Sequence, residues 1–142
     1  MSYTITVIVV NTTSTALSIV EKASWHYGGG GTWSEHDGGS QHTLTMGSSG
    51  TSGSLRFQSA NGEFFNVVVG VHNYAPWGDV QVDLVGHDTA VKLLPEYYSG
   101  GRLSGEAHRD IKRTSAHGTN VRVLFDAVPA LEHKLFAVVQ VY

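Results

Sequence analysis

Short β-favouring runs, each ended by a cluster of turn residues, are the feature that most restricts the folds open to this chain. Residues 3–10 (YTITVIVV) alternate and then become a continuous apolar run, and turn residues fill 11–15. Residues 64–71 (FFNVVVGV) are typical of a buried strand, and the dipeptide Asn61-Gly62 before them is a strong hairpin signal. Strands of this kind, with turn signals at intervals of roughly 8–12 residues, favour a β-sandwich or a β-barrel.

The remainder of the chain extends this pattern. Residues 16–27 are ambiguous in period and are predicted to supply one or two strands. Residues 31–46 continue as strands that are interrupted at 37–40. Residues 119–127 (TNVRVLFDA) and 134–142 (KLFAVVQVY) are predicted to be two final strands, antiparallel to each other.

Residues 86–112 differ from the rest, because they contain Leu93-Leu94-Pro95 and a short charged stretch at 106–110. One or two short helices are predicted here. Strands and helices do not alternate regularly, so a parallel α/β sheet is disfavoured. The 142 residues fit one domain, 1–142, and we predict an all-β fold with a short helical connection.

The composition and charge of the chain limit the kinds of partner that it can bind. Charged residues make up 15% of the chain and the formal net charge is -3, so there is no basic stripe for a nucleic acid. The chain has no cysteine, which excludes disulfides and thiolate zinc sites.

No apolar run approaches the roughly 20 residues of a membrane-spanning helix. The first residues lack the pattern of a secretory signal, so we expect a cytoplasmic protein.

Motifs of common enzymes and metal sites do not occur. The eight histidines include no pair at the spacing of a helical zinc site, and we predict no metal and no cofactor. No Gly-x-Ser-x-Gly occurs, and Gly47-Ser48-Ser49-Gly50 is interpreted as a loop. The acidic residues are few and scattered, which disfavours a glycosidase and its carboxylate pair without excluding it.

Small polar loops beside aromatic residues are the remaining candidate for a functional site. The glycine run at 28–31 is either a plain hairpin loop or a binding loop that a ligand can approach closely. A neutral sugar needs hydrogen-bond donors and acceptors next to an apolar surface. The residues of this kind are Trp25, Tyr27 and Trp33 around the glycines, and His72, Asn73, Tyr74 and Trp77 after the strand 64–71. Taken alone, the same aromatics also fit an ordinary sandwich core.

Several motifs, in their order and spacing, resemble the fungal fruit body lectin family. In the first part of the chain they are Val20-Glu21-Lys22, Trp25-His26-Tyr27, Gly30-Gly31-Thr32-Trp33, Leu44-Thr45-Met46-Gly47 and residues 49–57 (SGTSGSLRF). Further on they are residues 70–74 (GVHNY), Trp77, Asp79-Val80 and Tyr97-Tyr98. The resemblance covers the first 100 residues well, and the last 40 only in strand pattern.

This resemblance implies an actinoporin-like β-sandwich of two sheets, a homotetramer, and a cytosolic protein that defends fruiting bodies by multivalent glycan capture. It also implies two sugar sites, one for Galβ1-3GalNAc (the T-antigen type of O-linked glycan) and one for terminal N-acetylglucosamine. Because actinoporins share the fold, a membrane-active, pore-forming protein is the alternative. Because the predicted strand 3–10 stands almost at the start of the sequence, we expect no amphipathic helix for insertion.

The first site is carried over from the family residue by residue. It consists of Gly28, Gly29, Ser49, Gly50, His72 and Asn73. Asn73 can donate and accept at adjacent sugar hydroxyls, and Ser49 offers a hydroxyl. Relatives have Ala-Asn where this chain has Gly28-Gly29, so close approach is kept and one amide side chain is lost.

The second site maps to Asp79, Val80, Val82 and Arg102. Val82 stands where relatives have Thr, so a hydroxyl is missing. A family Tyr further on has no clear counterpart, and this chain has residues 110–114 (DIKRT) in that region. The second site therefore departs further from the family than the first.

Overall fold

Ten strands and a short helical segment make up the protein, whose computed structural model describes residues 2–25, 30–126 and 133–142. The strands are β1 (Tyr3–Asn11), β2 (Leu17–Ser24), β3 (Gly31–His36), β4 (Gln41–Met46), β5 (Ser52–Ser59), β6 (Phe64–His72), β7 (Ala75–Leu84), β8 (Asp110–Thr114), β9 (Asn120–Phe125) and β10 (Lys134–Val141). The helical segment is α1 (Ala90–Leu93) followed by a 3₁₀ turn at Leu94–Tyr97, and a second 3₁₀ turn lies at Asp37–Gly39.

The strands form two sheets that pack face to face. The six-stranded sheet has the order β3-β4-β1-β10-β9-β8, and the four-stranded sheet has the order β2-β5-β6-β7. Strands β1 and β10 pair in parallel, with Val7 opposite Ala137, while the other pairs are antiparallel. The fold is thus a β-sandwich of two sheets, as the resemblance implied.

The inner faces of the two sheets form the main core. Alternate residues of β1, such as Ile5 and Val7, point inward and are fully buried. On the neighbouring strands β5 and β6 of the four-stranded sheet, Phe57 and Phe65 lie opposite each other and stack with their ring centroids 4.9 Å apart. A fully buried side chain of this size contributes about 1.5–3 kcal/mol, so hydrophobic burial is the main force holding the sheets together.

The helical segment covers the outer face of the four-stranded sheet. Leu93, Leu94 and Tyr97 pack with Val68 and Trp77 in a second buried cluster. Because this cluster covers one face and the main core covers the other, most of β6 is buried on both faces. This explains why the sequence of β6 is almost continuously apolar instead of alternating.

Two acceptors fix the start of α1. The Glu21 carboxylate accepts the backbone N–H groups of Ala90 at 2.7 Å and Val91 at 3.1 Å, and Thr89 Oγ1 accepts that of Lys92 at 3.2 Å. These bonds satisfy N–H groups that a helix start leaves without partners, and they tie the segment to β2.

Most of the predicted elements are confirmed. The strand predicted at 3–10 is β1, the buried strand predicted at 64–71 is β6, and the last two strands are antiparallel. The short helices predicted in 86–112 are α1 and the 3₁₀ turn after it. The sequence pattern did not predict β7 and β8. No helix within the described ranges is long and apolar enough to cross a membrane.

Candidate binding site

A tight turn between β6 and β7 places the first predicted site residues. His72 pairs with Ala75, so Asn73 and Tyr74 form a two-residue hairpin loop. Both have positive φ, 48° and 64°, as in a type I′ turn. Asn adopts this conformation more readily than most residues, and the turn therefore presents its amide at the tip of the hairpin.

The loop between β4 and β5 lies against this turn. Tyr74 donates its backbone N–H to Ser49 Oγ at 3.0 Å, and Gly50 donates its backbone N–H to the Val71 carbonyl at 2.7 Å. The Asn73 amide nitrogen lies 3.3 Å from His72 Nε2. Four of the six residues predicted for the first site are therefore brought together on one surface.

The two remaining residues, Gly28 and Gly29, lie outside the described residues. Gly30, the next residue, accepts a backbone hydrogen bond from Gly47 at 3.3 Å. The glycine run of the sequence therefore ends beside the loop that carries Ser49 and Gly50.

A cavity of about 290 Å³ adjoins this surface. Gly50 and His72 line it on one side, and Trp77, Tyr98 and Glu106 line it on the others. Tyr98 is held in place by a 2.5 Å hydrogen bond between its hydroxyl and Ser52 Oγ. The ring of Tyr98 also stacks on Trp25, with ring centroids 4.5 Å apart. Of the two tryptophans that sequence analysis named, Trp77 lines the cavity, and Trp25 packs against the lining residue Tyr98.

Asp79, the first residue predicted for the second site, is fully buried. Its Oδ2 accepts hydrogen bonds from the Tyr97 hydroxyl at 2.7 Å and from Gln81 Nε2 at 2.8 Å. Its Oδ1 accepts one from Arg113 at 3.1 Å. Burial, followed by the Asp79 charge, raises the pKa of the Tyr97 hydroxyl, which therefore stays protonated and donates.

Arg113 joins Asp79 to the wall of the cavity. Its guanidinium donates to Asp79 and to Glu106 Oε2 at 2.8 Å, and its Nε donates to the Val80 carbonyl. His108 Nε2 lies 2.8 Å from the same Glu106 oxygen. The hydrogen bond with His108, followed by the Arg113 charge, lowers the pKa of the Glu106 carboxyl, so this group is ionised at neutral pH.

Donor atoms of Asp79, Glu106 and His108 lie within 4.8 Å of one another. Such a group could bind a metal ion in principle, but Arg113 donates to both carboxylates and neutralises part of their charge. The arrangement is that of an ion-pair network between β7, β8 and the loop before β8. Sequence analysis missed Arg113, although its segment stood where a family Tyr was expected.

The other residues predicted for the second site lie apart. Val80 is buried in the main core, and Val82 is partly buried against it. Arg102 lies in the exposed loop after the 3₁₀ turn, where its backbone N–H donates to Glu96. No hydrogen bond or ion pair joins Arg102 to Asp79 in the part of the chain that the structure describes. A sugar contact from these four residues stays a prediction.

Hydroxyl, amide and imidazole groups therefore share a shallow surface with aromatic rings, at the loops of a two-sheet sandwich. This combination of fold and site is that of a carbohydrate-binding protein.

Comparison with known proteins makes the assignment specific. Residues 1–137 match the family described as fungal fruit body lectin. The lectin of Boletus edulis is 47% identical over 114 residues, which cover 78% of each chain. The chain therefore belongs to the fungal fruit body lectin family.

Solved structures agree over the whole chain. The crystal structure of the wild-type lectin from Xerocomus chrysenteron has a TM-score of 0.93 at 44% identity and covers 100% of both chains. A mutated form of that lectin has a TM-score of 0.92 at 45% identity, covering 100% of this chain and 99% of the other. The β-sandwich lectin fold is confirmed by both.

Proposed function

We propose that this lectin binds galactosyl and N-acetylgalactosamine glycans of the Galβ1-3GalNAc type through Ser49, Gly50, His72 and Asn73. The observation that carries the proposal is the junction of two loops, in which the Asn73-Tyr74 turn is bonded to Ser49. Gly28 and Gly29 complete the proposed site on the strength of the family resemblance alone.

The chemistry of this surface suits sugar hydroxyls. The Asn73 amide offers both donors and an acceptor, so it can bridge two adjacent hydroxyls. Ser49 Oγ already accepts from Tyr74, which leaves its own proton to donate to a ligand. Tyr74 is 81% exposed and offers an aromatic face to the C–H groups of a pyranose.

The neighbouring cavity supplies room for a second ring of the disaccharide. It shares Gly50 and His72 with the proposed site, and its other walls combine Trp77 and Tyr98 with the ionised Glu106. A carboxylate accepts hydrogen bonds from hydroxyls and repels an anionic group. A neutral galactosyl glycan is thus the better ligand, and a glycan with a carboxylate at this position is disfavoured.

We infer that any N-acetylglucosamine bound near Asp79 would contact Arg113 and Glu106. Asp79 and Val80 are buried, whereas the side chains of Arg113 and Glu106 are 31% and 38% exposed. Asp79 would then act beneath the site by holding Arg113 and Tyr97 in place. This keeps Asp79 in the second site but changes its role from sugar contact to support.

We propose a homotetramer in which several weak sites act together. An exposed apolar patch on the outer face of the six-stranded sheet supports self-association. It consists of Ile8, Val10, Leu124, Phe136 and Val138, of which Phe136 is 47% exposed. A shallow, wet sugar site binds weakly by itself, and linking several sites raises avidity on a glycan-coated surface. A defensive role and a cytoplasmic location are proposed with it, and both rest on the family resemblance.

Retention on an immobilised asialo-O-glycan tests the ligand class. We expect the protein to be retained and to be eluted by free Galβ1-3GalNAc, with N-acetylglucosamine much less effective. Elution by N-acetylglucosamine alone would assign binding to the second site, and absence of retention would contradict the proposal.

A further inference from the structure

Three aromatic side chains, those of Trp77, Tyr97 and Tyr98, line the cavity of about 290 Å³ that adjoins the proposed sugar site. The Trp77 and Tyr97 rings are neighbours, with their centroids 5.5 Å apart. The Tyr97 hydroxyl donates to Asp79 at 2.7 Å. The Tyr98 hydroxyl shares a 2.5 Å hydrogen bond with Ser52 Oγ. Because both hydroxyls already have partners, the rings are the main surface that these residues offer to a ligand.

Glu106 is the only Asp, Glu, Lys or Arg among the described residues that line this cavity. Its Oε2 takes part in two hydrogen bonds of 2.8 Å, one from Arg113 and one with His108. Within the described residues Oε1 accepts no hydrogen bond, and the side chain is 38% exposed. Arg113 also donates to Asp79, so one positive charge serves two carboxylates. The cluster of these three charged side chains therefore keeps a net negative charge beside the cavity.

Backbone hydrogen bonds hold the loop that carries Glu106. The backbone N–H of Glu106 donates at 2.9 Å to the carbonyl of Leu103, which is itself buried in the second cluster. His108 exchanges two backbone hydrogen bonds with Gly78 of β7, at 2.7 and 3.0 Å. The carboxylate and the aromatic residues are thus positioned by the fold itself, which lowers the cost of ordering them around a ligand.

An aromatic ring attracts an organic cation through the negative potential of its face, most strongly where water is excluded. A nearby carboxylate adds a Coulombic attraction. We propose that this cavity binds a small quaternary ammonium ion, whose methyl groups contact Trp77, Tyr97 and Tyr98 and whose charge pairs with Glu106. Such an ion donates no hydrogen bonds, so it suits a wall that is mostly apolar and offers few acceptors.

Two probes of nearly equal shape test the proposal on the whole protein by calorimetry. The first is choline, and the second is 3,3-dimethyl-1-butanol, in which a carbon atom replaces the charged nitrogen. We expect saturable binding of choline and about tenfold weaker binding of the neutral alcohol, because the attraction to the rings and to Glu106 is lost. His72 also lines the cavity, so the measurement is made at pH 8, above the range in which histidines ordinarily titrate.

Three variants test the assignment to the cavity. Glu106→Gln should weaken choline about fivefold to tenfold and leave the neutral alcohol unchanged. Glu35→Gln removes the same charge from β3, away from the cavity, and should change neither probe. Ala107→Trp fills the cavity from an exposed loop position and should abolish choline binding. If Ala107→Trp fails to fold, the comparison of the two probes and Glu106→Gln decide the question.

Nuclear magnetic resonance locates the bound probe. The indole N–H signal of Trp77 should shift as choline saturates the protein. The signal of Trp33, whose Nε1 donates to the Ala23 carbonyl at 2.9 Å, should stay in place.

Four results would overturn the proposal. They are absence of saturable choline binding, equal affinity for the two probes, native choline affinity in Glu106→Gln, and a Trp77 signal that does not move at saturation. Choline carries no sugar, so its binding and the retention on a glycan column are independent measurements. Failure of glycan retention would therefore leave this proposal standing.

Discussion

Tyr74 donates its backbone N–H to Ser49 Oγ at 3.0 Å, and this bond joins the β6–β7 turn to the loop between β4 and β5. Residues that are 25 positions apart in the sequence thus meet at one surface. The two loops of the proposed sugar site are therefore positioned by each other as well as by the sheet.

Replacing this serine should weaken both the turn and the sugar site. Ser49→Ala removes the acceptor for Tyr74 and the hydroxyl proposed to reach the ligand. We expect retention on the asialo-O-glycan column to fall strongly. The free energy of unfolding in urea should fall by only about 0.5–1 kcal/mol, since the bond is exposed.

Ser48→Ala is the matched control for this change. Among the described residues, Ser48 Oγ donates only to the neighbouring Ser49 carbonyl, at 3.2 Å. Its replacement should leave retention unchanged. Equal loss of retention in the two variants would mean that the loop as a whole, and not the Ser49 hydroxyl, is what matters.

Arg113 should be essential for stability because it compensates a fully buried carboxylate. Arg113→Met leaves Asp79 without its cationic partner. We expect the free energy of unfolding to fall by about 2–4 kcal/mol, somewhat less than for a completely buried pair, because the Arg113 side chain is 31% exposed. Urea denaturation followed by tryptophan fluorescence measures this change.

Two further variants separate the ion pair from general effects of removing an arginine. Arg122→Met breaks the more exposed pair with Asp110 and should cost much less. The double variant Arg113→Met and Asp79→Asn should recover part of the loss, because no buried charge then remains. A double variant less stable than Arg113→Met alone would show that Asp79 stabilises the fold mainly through Tyr97 and Gln81.

His42 should make stability depend on pH. Burial, with smaller contributions from Lys22 and His36, lowers its pKa below the ordinary value of 6.5, against the raising effect of Gly39 and Glu35. Between about pH 6.5 and the lower pKa of His42 in the folded protein, His42 binds a proton in the unfolded chain but not in the folded chain. The free energy of unfolding should therefore fall as the pH drops through this window.

The comparison of His42→Gln with the native protein isolates this effect. The difference in unfolding free energy between the two proteins should narrow as the pH falls from 7.5 to 5. His87→Gln changes a histidine whose side chain is 78% exposed and serves as the control for the loss of a histidine. Parallel stability curves for His42→Gln and the native protein would contradict the prediction.

The apolar patch on the outer sheet should control assembly. Phe136→Glu places a charge within this patch, and we expect the oligomer to dissociate in light scattering coupled to size exclusion. Agglutination should be lost, while binding of a soluble monovalent glycan persists. Val91→Glu, at a 63% exposed position on α1, should leave the mass unchanged. An unchanged mass for Phe136→Glu would place the interface elsewhere.

The sequence predicted the strands that carry a regular pattern. β1 and β6 were predicted because their sequences reflect their burial. β1 begins with residues that alternate between buried and partly buried, whereas β6 is apolar almost throughout because both of its faces are buried. β8 (DIKRT) was missed because charged residues dominate it and only five residues are present. β7 begins with Ala75-Pro76 and contains Gly78, residues that propensity alone does not assign to a strand.

The site was predictable only in part. Asn73 and Ser49 came from the resemblance, and the structure adds the turn that joins them. The burial of Asp79 could not be predicted, because a carboxylate with this neighbourhood in sequence is equally compatible with an exposed position. Its buried state depends on Arg113, which lies 34 residues away and meets it only through the pairing of the sheets.

The most direct test of the proposed function is the affinity of soluble Galβ1-3GalNAc for Asn73→Gly, measured by calorimetry. Glycine tolerates the positive φ of this turn, so the variant loses the amide and keeps the backbone conformation. The matched control is Asn61→Gly, which makes the same substitution in the hairpin between β5 and β6. We predict at least a tenfold loss of affinity for Asn73→Gly and none for Asn61→Gly. Native affinity in a folded Asn73→Gly protein would contradict the assignment of this surface as the sugar site.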